Sequence, residues 1–188
     1  MLSAPAMTAR GSARSSAAAP SLPYQAAAVV AGVVAMAVAS RFSIPLPSKL
    51  GVPITLQTYA LFVLCGVFGG RLALGAVLAW LAIAALGAPV LADGAGGWRA
   101  VTGHTMGFLA GMAAAAWVCG RGAERTGGWM ALSALFLAGH AIVLAVGWAG
   151  LASFMDPGPA FTVGILPFVP GAVVKSVAAA LTVAAVKR

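Results

Sequence analysis

The run Pro167-Phe168-Val169-Pro170-Gly171-Ala172-Val173-Val174-Lys175-Ser176, carried on by Val177-Ala178-Ala179-Ala180-Leu181-Thr182-Val183-Ala184-Ala185-Val186, decides how this chain folds. It has the length of a membrane span, about 20 residues, and it holds a single charge, Lys175. The chain has three acidic residues in all, Asp93, Glu124 and Asp156, each in a connecting segment between hydrophobic runs. Lys175 therefore has no carboxylate to pair with at its own depth. A charge at membrane depth costs at least about 2.5–3.5 kcal/mol on insertion scales, and by default it marks a site. Pro170 is a natural first helical residue, which puts Lys175 about a turn and a half into a helix, near the partly positive N-terminus. Two readings follow. Lys175 is a cationic anchor for a ligand carboxylate, or it snorkels to the interface along its four-carbon stem.

Working outward, composition sets the class. Hydrophobic residues make up 62% of the 188 and charged residues 7%, with a mean hydropathy of +1.02. A soluble domain carries about 25% charged residues and has nowhere to hide this much apolar surface. The chain reads as an all-α integral membrane protein, one domain with room for about six spans. Its net charge of +8 does not point to nucleic acid. Arg10, Arg14, Arg71, Arg121, Arg125, Lys187 and Arg188 fall at alternate gaps between the apolar runs, the positive-inside pattern that assigns those gaps to the cytoplasm. No basic face interleaved with aromatics is present, as strand binding requires. Cys65 and Cys119 lack metal-ligand spacing and read as packing residues.

Residues 1–20, rich in Ala, Ser and Arg, are expected to form a disordered cytoplasmic tail, leaving 21–188 as one six-helix domain. The spans are expected at about 24–40, 54–68, 72–86, 103–118, 129–147 and 161–186, the last interrupted by Pro167 and Pro170. Both termini then lie inside, and 41–53, 87–102 and 148–160 are outer loops. The first of these contains Pro45, Pro47 and Pro53 and is expected to run extended. Trp98, Trp148 and Phe154 are candidate interfacial anchors. Short or Pro-split spans are where irregular backbone lines a cavity instead of facing lipid.

After Pro53, the side chains of Thr55, Gln57 and Thr58 place three hydrogen-bonding groups within a helical turn. A buried amide at Gln57 suits a polar ring with urea-like groups, or serves as polar glue between helices. Ala27, Ala31, Ala35 and Ala39 form a four-residue ladder with Gly32 beside it, which lets helix backbones approach closely, within the chain or against a partner. His104 and His140 each lie on an apolar run and read as satisfied buried histidines, not metal ligands. No HExxH, GxSxG or GxxxxGK[ST] occurs, so neither hydrolytic chemistry nor ATP binding is expected of this chain.

Taken in order, several segments resemble the BioY family, the biotin-specific substrate-capture (S) components of energy-coupling-factor (ECF) transporters. Ile44-Pro45-Leu46-Pro47 followed by Val52-Pro53-Ile54-Thr55-Leu56-Gln57-Thr58 is similar to that family's IPLP…VPxTLQT. Gly87-Ala88-Pro89-Val90-Leu91-Ala92-Asp93 with its Gly-rich continuation looks like the family's GLPVFA loop, and Pro167-Phe168-Val169-Pro170-Gly171 with Lys175 looks like PFxPGDxxK. The resemblance implies a six-span S-component bundle in the cell membrane that captures biotin from outside and delivers it inward without enzymatic chemistry. It implies a pocket to which Gln57, Thr58, Asp93, Thr105 and Lys175 contribute, with biotin as transported ligand and no cofactor or metal. It also implies docking through Ala27, Ala31 and Ala35 on a membrane coupling subunit that works with two ATPase subunits.

The chain departs from the pattern in two places. The family's GPTGGYL reads Gly103-His104-Thr105-Met106-Gly107-Phe108-Leu109, and the acidic residue of PGDxxK is Ala172. That substitution removes an acceptor from the implied pocket and an i,i+3 partner from Lys175. The alternatives are an S component for another small carboxylate-bearing vitamin, or a ligand-free membrane scaffold in which Gln57 and Lys175 tolerate alanine. An enzyme would require Asp93, His104 and His140 within hydrogen-bonding reach of one another.

Overall fold

A computed structural model describes residues 20–46 and 52–188. Most of the expected 1–20 tail, and Pro47 of the Pro-rich stretch, lie outside these residues. The described chain is helical apart from one short hairpin. Helix α1 (Leu22–Arg41) leads into strands β1 (Ser43–Ile44) and β2 (Ile54–Thr55), then α2 (Gln57–Ala85), α3 (Trp98–Val101), α4 (Met106–Ala123), α5 (Trp129–Leu151), α6 (Pro157–Gly164) and α7 (Val169–Val186). Prolines sit in the first turn of α1, α6 and α7, where the missing N–H costs no helical bond.

The break inside α2 organises the bundle. A straight helix of its 29 residues would hold its ends roughly 42 Å apart. Instead Gln57 near its start and Leu91 beyond its end line one cavity. The reversal occurs at Gly69, whose φ of 77° and ψ of 178° lie in a region essentially restricted to glycine. Two arms result, 57–68 and 70–85. Leu64 on one and Ala76 on the other both meet Gly32 of α1, where a Cβ would stand 2.5 Å from the Ala76 Cβ. The turn packs on the end of α4: a Cβ on Gly120 would stand 2.4 Å from the Gly70 Cα. Glu124 accepts the Gly70 N–H at 2.9 Å and pairs with Arg121 at 3.3 Å. The acidic residue assigned to a connecting turn thus caps the second arm.

The two arms of α2 stand at the centre with α4 and α5, while α1 leans on α2 and α7 closes against α5 and α2. Their shared core is made of fully buried Met36, Leu61, Phe62, Trp80 and Phe136. Leu22–Arg41, Gln57–Ala85, Trp129–Leu151 and Pro157–Val186 are long and apolar enough to cross a membrane. Met106–Ala123 has the length but carries Arg121 in its last turn.

The expected all-α architecture holds, with local differences. Ser43 pairs with Thr55 and Ile44 with Ile54 in an antiparallel ladder, so the span expected from residue 54 begins as strand and turns helical at Gln57. The interruption at Pro167 separates α6 from α7 through a short 3-10 turn. Of the candidate anchors, Trp98 and Phe154 are exposed, whereas Trp148 is half-buried and its Nε1 donates to the Pro157 carbonyl at 3.0 Å. That indole ties α5 to the start of α6.

Candidate functional site

The hairpin, the 87–105 loop, the neighbouring ends of α2, α4 and α7 and the middle of α5 border two adjoining cavities. The larger, of about 310 Å³, is bordered by Gln57, Asp93, His104 and Thr105, with Leu91, Phe108, Leu109 and Met112 among its apolar walls. The smaller, of about 60 Å³, is bordered by Gln57, Thr58, His140 and Lys175, with Val143 and Phe168 as apolar lining. Val52, Pro53, Thr55, Gln57, Phe108 and Met112 border both. They are two lobes of one site.

Lys175 is half-buried and borders the smaller lobe. Its Nζ donates to the Thr55 carbonyl at 3.1 Å. An ammonium has three N–H donors, so two remain for a guest. Ion pairing among the described residues is confined to Arg121 with Glu124, and no protein carboxylate offsets the lysine. The position of its charge follows from the 3-10 turn, which restarts the helix at Val169 and aims the next turn and a half at the hairpin.

Gln57 is 7% exposed and already engaged. Its Nε2 donates to Ser40 Oγ at 2.7 Å, and its Oε1 accepts from Thr55 Oγ1 at 2.9 Å. One N–H and one lone pair stay available at the wall shared by the lobes. Ser40 in turn donates to the Met36 carbonyl at 2.7 Å, so the amide plane is held by both α1 and the hairpin. Thr58 faces the smaller lobe, with its hydroxyl 3.0 Å from His140 Nε2.

Asp93 and Thr105 are brought to the larger lobe, with Gln57 in its wall. Asp93 adopts a positive φ of 56°, which short polar side chains tolerate, and its carboxylate accepts a bond from Ser43 Oγ. An acceptor-only group is thereby presented at the rim. Ala172 is buried and borders neither lobe. Arg99 is exposed on α3 and borders neither lobe.

The histidines divide. His140 is buried and fully bonded, as expected. His104 is not a buried packing residue: it is half-buried in the larger lobe and makes no side-chain hydrogen bond among the described residues. The loop preceding α4 lifts it off the apolar helix on which the sequence placed it. Asp93, His104 and His140 do not bond to one another, so the acid–base constellation an enzyme requires is not assembled. Among the described residues no cluster of His, Cys, Asp and Glu has the makings of a metal site. Ser40, Ser43 and Ser176 were not legible in the sequence, because their bonds to Gln57, Asp93 and His140 join distant segments and leave no local signature.

On α1, Ala27 and Ala31 are exposed, Ala35 is half-buried and Ala39 is buried. A groove of about 610 Å³ runs between α1 and the first arm of α2, bordered by Ala31, Ala35 and Ala39 on one side and Tyr59 and Val63 on the other. A four-residue ladder drifts around a helix of 3.6 residues per turn, which is why it begins outside and ends inside.

Three comparisons with known proteins bear on this arrangement. Residues 12–188 match the sequence profile of the BioY family. A biotin transporter BioY of Rhodobacter capsulatus is 37% identical over 161 residues, 78% of this chain and 85% of that protein. One of Thermotoga maritima is 34% identical over 152 residues, 80% and 88% of the two chains. A crystal structure of the S-component for biotin from an ECF-type ABC transporter superposes with a TM-score of 0.76 at 24% identity, covering 90% of this chain and 95% of the other.

Proposed function

Because the chain belongs to the BioY family, we propose that it is a biotin-capture subunit, an S component that takes biotin from outside the cell and passes it inward. It is a multi-pass membrane protein and a transporter component, not an enzyme. The observation that carries the reading is the ammonium of Lys175 held half-buried beside a cavity with no protein carboxylate for partner.

The guest's carboxylate enters the smaller lobe and takes the two free N–H donors of Lys175 (a charge-assisted bond worth about 1.5–3 kcal/mol net). The aliphatic chain lies between Phe108 and Met112, which border both lobes. The ring system fills the larger lobe, where Asp93 accepts from its N–H groups and Thr105 completes the polar rim. Gln57 bonds where the lobes meet, and Thr58 acts behind it. With Ala172 unable to contribute an acceptor, the carboxylate held by Ser43 carries that task.

Six spans are assigned to α1, the two arms of α2, α4, α5 and the α6–α7 unit, with both termini in the cytoplasm. Arg71, Arg121, Arg125, Lys187 and Arg188 all fall at one end in this arrangement, as the positive-inside bias favours. A membrane coupling subunit working with two ATPase subunits docks across Ala27, Ala31 and Ala35. The exposed Ala27 and Ala31, the half-buried Ala35 and the groove beside them support that surface.

Radiolabelled biotin binding to purified protein tests the reading. Saturable binding at about micromolar affinity or tighter, weakened in Lys175→Ala, is the expected result. Absence of saturable binding overturns it.

A further inference from the structure

Beside the smaller lobe, the imidazole of His140 joins three helices. The residue is 3% exposed. Its Nε2 lies 3.0 Å from Thr58 Oγ1 on the first arm of α2, and its Nδ1 lies 2.9 Å from Ser176 Oγ on α7. Nδ1 is also 3.2 Å from the Phe136 carbonyl one turn back on α5. A carbonyl only accepts, so Nδ1 carries the proton and Nε2 accepts from Thr58, an assignment made from the partners. The Phe62 ring packs 4.7 Å from the imidazole and stacks on Phe136 at 5.2 Å.

The partners are neighbours in sequence of the ligand-facing side chains. Thr58 follows Gln57 and Ser176 follows Lys175. Each bond to the imidazole therefore acts on the stretch of backbone that carries a group facing the lobes. We propose that His140 is a positioning residue for the ligand: its bonds to Thr58 and Ser176 fix the rotation and height of α2 and α7, setting Gln57 and Lys175 at the spacing the guest requires. This rests on the capture reading above. Bonds among buried polar groups suit such a task, since each left unmade exposes its partner to a full desolvation cost.

The test compares biotin affinity and melting temperature of the full chain in detergent for His140→Ala, His140→Asn and His140→Gln. Asn retains a donor near the Nδ1 position and so the α7 bond, while Gln reaches the Nε2 position and so the α2 bond. His140→Ala is expected to weaken biotin binding about tenfold or more, equivalent to about 1.4 kcal/mol, with partial rescue by both amides. Combined with Lys175→Ala, the losses are expected to fall short of their product, because His140 acts through that lysine. Should His140→Ala not fold, Ser176→Ala removes one bond at nearly constant shape from a residue that borders neither lobe, and it is expected to weaken binding. Wild-type affinity in the folded variants, or losses that multiply fully with Lys175→Ala, overturns the proposal. A wild-type protein that binds no biotin overturns the capture reading itself, and this inference with it.

Discussion

At the scale of single residues, the site depends on where one cation is held. Lys175 spends one N–H on the Thr55 carbonyl, which orients the ammonium without neutralising it. Removing it is expected to weaken biotin binding by about 10- to 150-fold, the range spanned by about 1.5–3 kcal/mol, measured by equilibrium binding of labelled biotin. Lys175→Arg is expected to recover only part of this, because a planar fork does not replace a compact ammonium in a lobe of about 60 Å³. Affinity unchanged in Lys175→Ala removes the lysine from the account. Lys175 was legible in the sequence because an uncompensated charge within an apolar run is costly enough to demand an explanation. His140 was legible only as a buried ring. Its bond partners lie 82 and 36 positions away, and no local spacing announces a contact of that kind.

At the scale of elements, the break at Gly69 turns one hydrophobic run into two arms. The sequence showed it as Gly69-Gly70-Arg71 between two spans, and the structure gives the physical reason in the backbone angles at Gly69. Gly69→Ala is expected to cost about 1–3 kcal/mol through backbone strain, read as a lower melting temperature in detergent. A Cβ there would also stand 2.7 Å from Glu124 Oε1, which displaces the cap on the second arm. Gly120→Ala is expected to be at least as damaging, since its Cβ would meet the Gly70 backbone and neither helix can yield. Gly127, with nothing within 4 Å, supplies the control: Gly127→Ala is expected within about 0.5 kcal/mol of wild type. Equal melting temperatures for all three would contradict the close approach of α2 and α4. The hairpin was less legible than the helices. Two-residue strands are too short for alternation to register, and Pro45 and Pro53 signalled extended backbone without showing that its two sides pair.

At the scale of the whole molecule, capture from outside requires the lobes to open on the side opposite the basic turns. Single cysteines at Ser153 and Gly127, both exposed, are expected to react with a membrane-impermeant maleimide from opposite faces, Ser153→Cys from outside in intact cells and Gly127→Cys only after permeabilisation. Both native cysteines are buried and give a low background. Labelling of both from one face contradicts the topology. Apolar runs and alternating charge made the all-helical membrane class readable in advance. The enclosure of a cavity by the hairpin and the 87–105 loop was not readable, because it depends on contacts between distant loops. The most direct test of the central claim sets biotin against its methyl ester, which keeps the ring and chain and removes the negative charge. Equilibrium binding is expected to favour biotin by about tenfold or more in the wild-type protein, with the preference largely gone in Lys175→Ala. Equal affinity for the acid and the ester in the wild-type protein would show that the ammonium does not receive the guest's carboxylate, and would contradict the account.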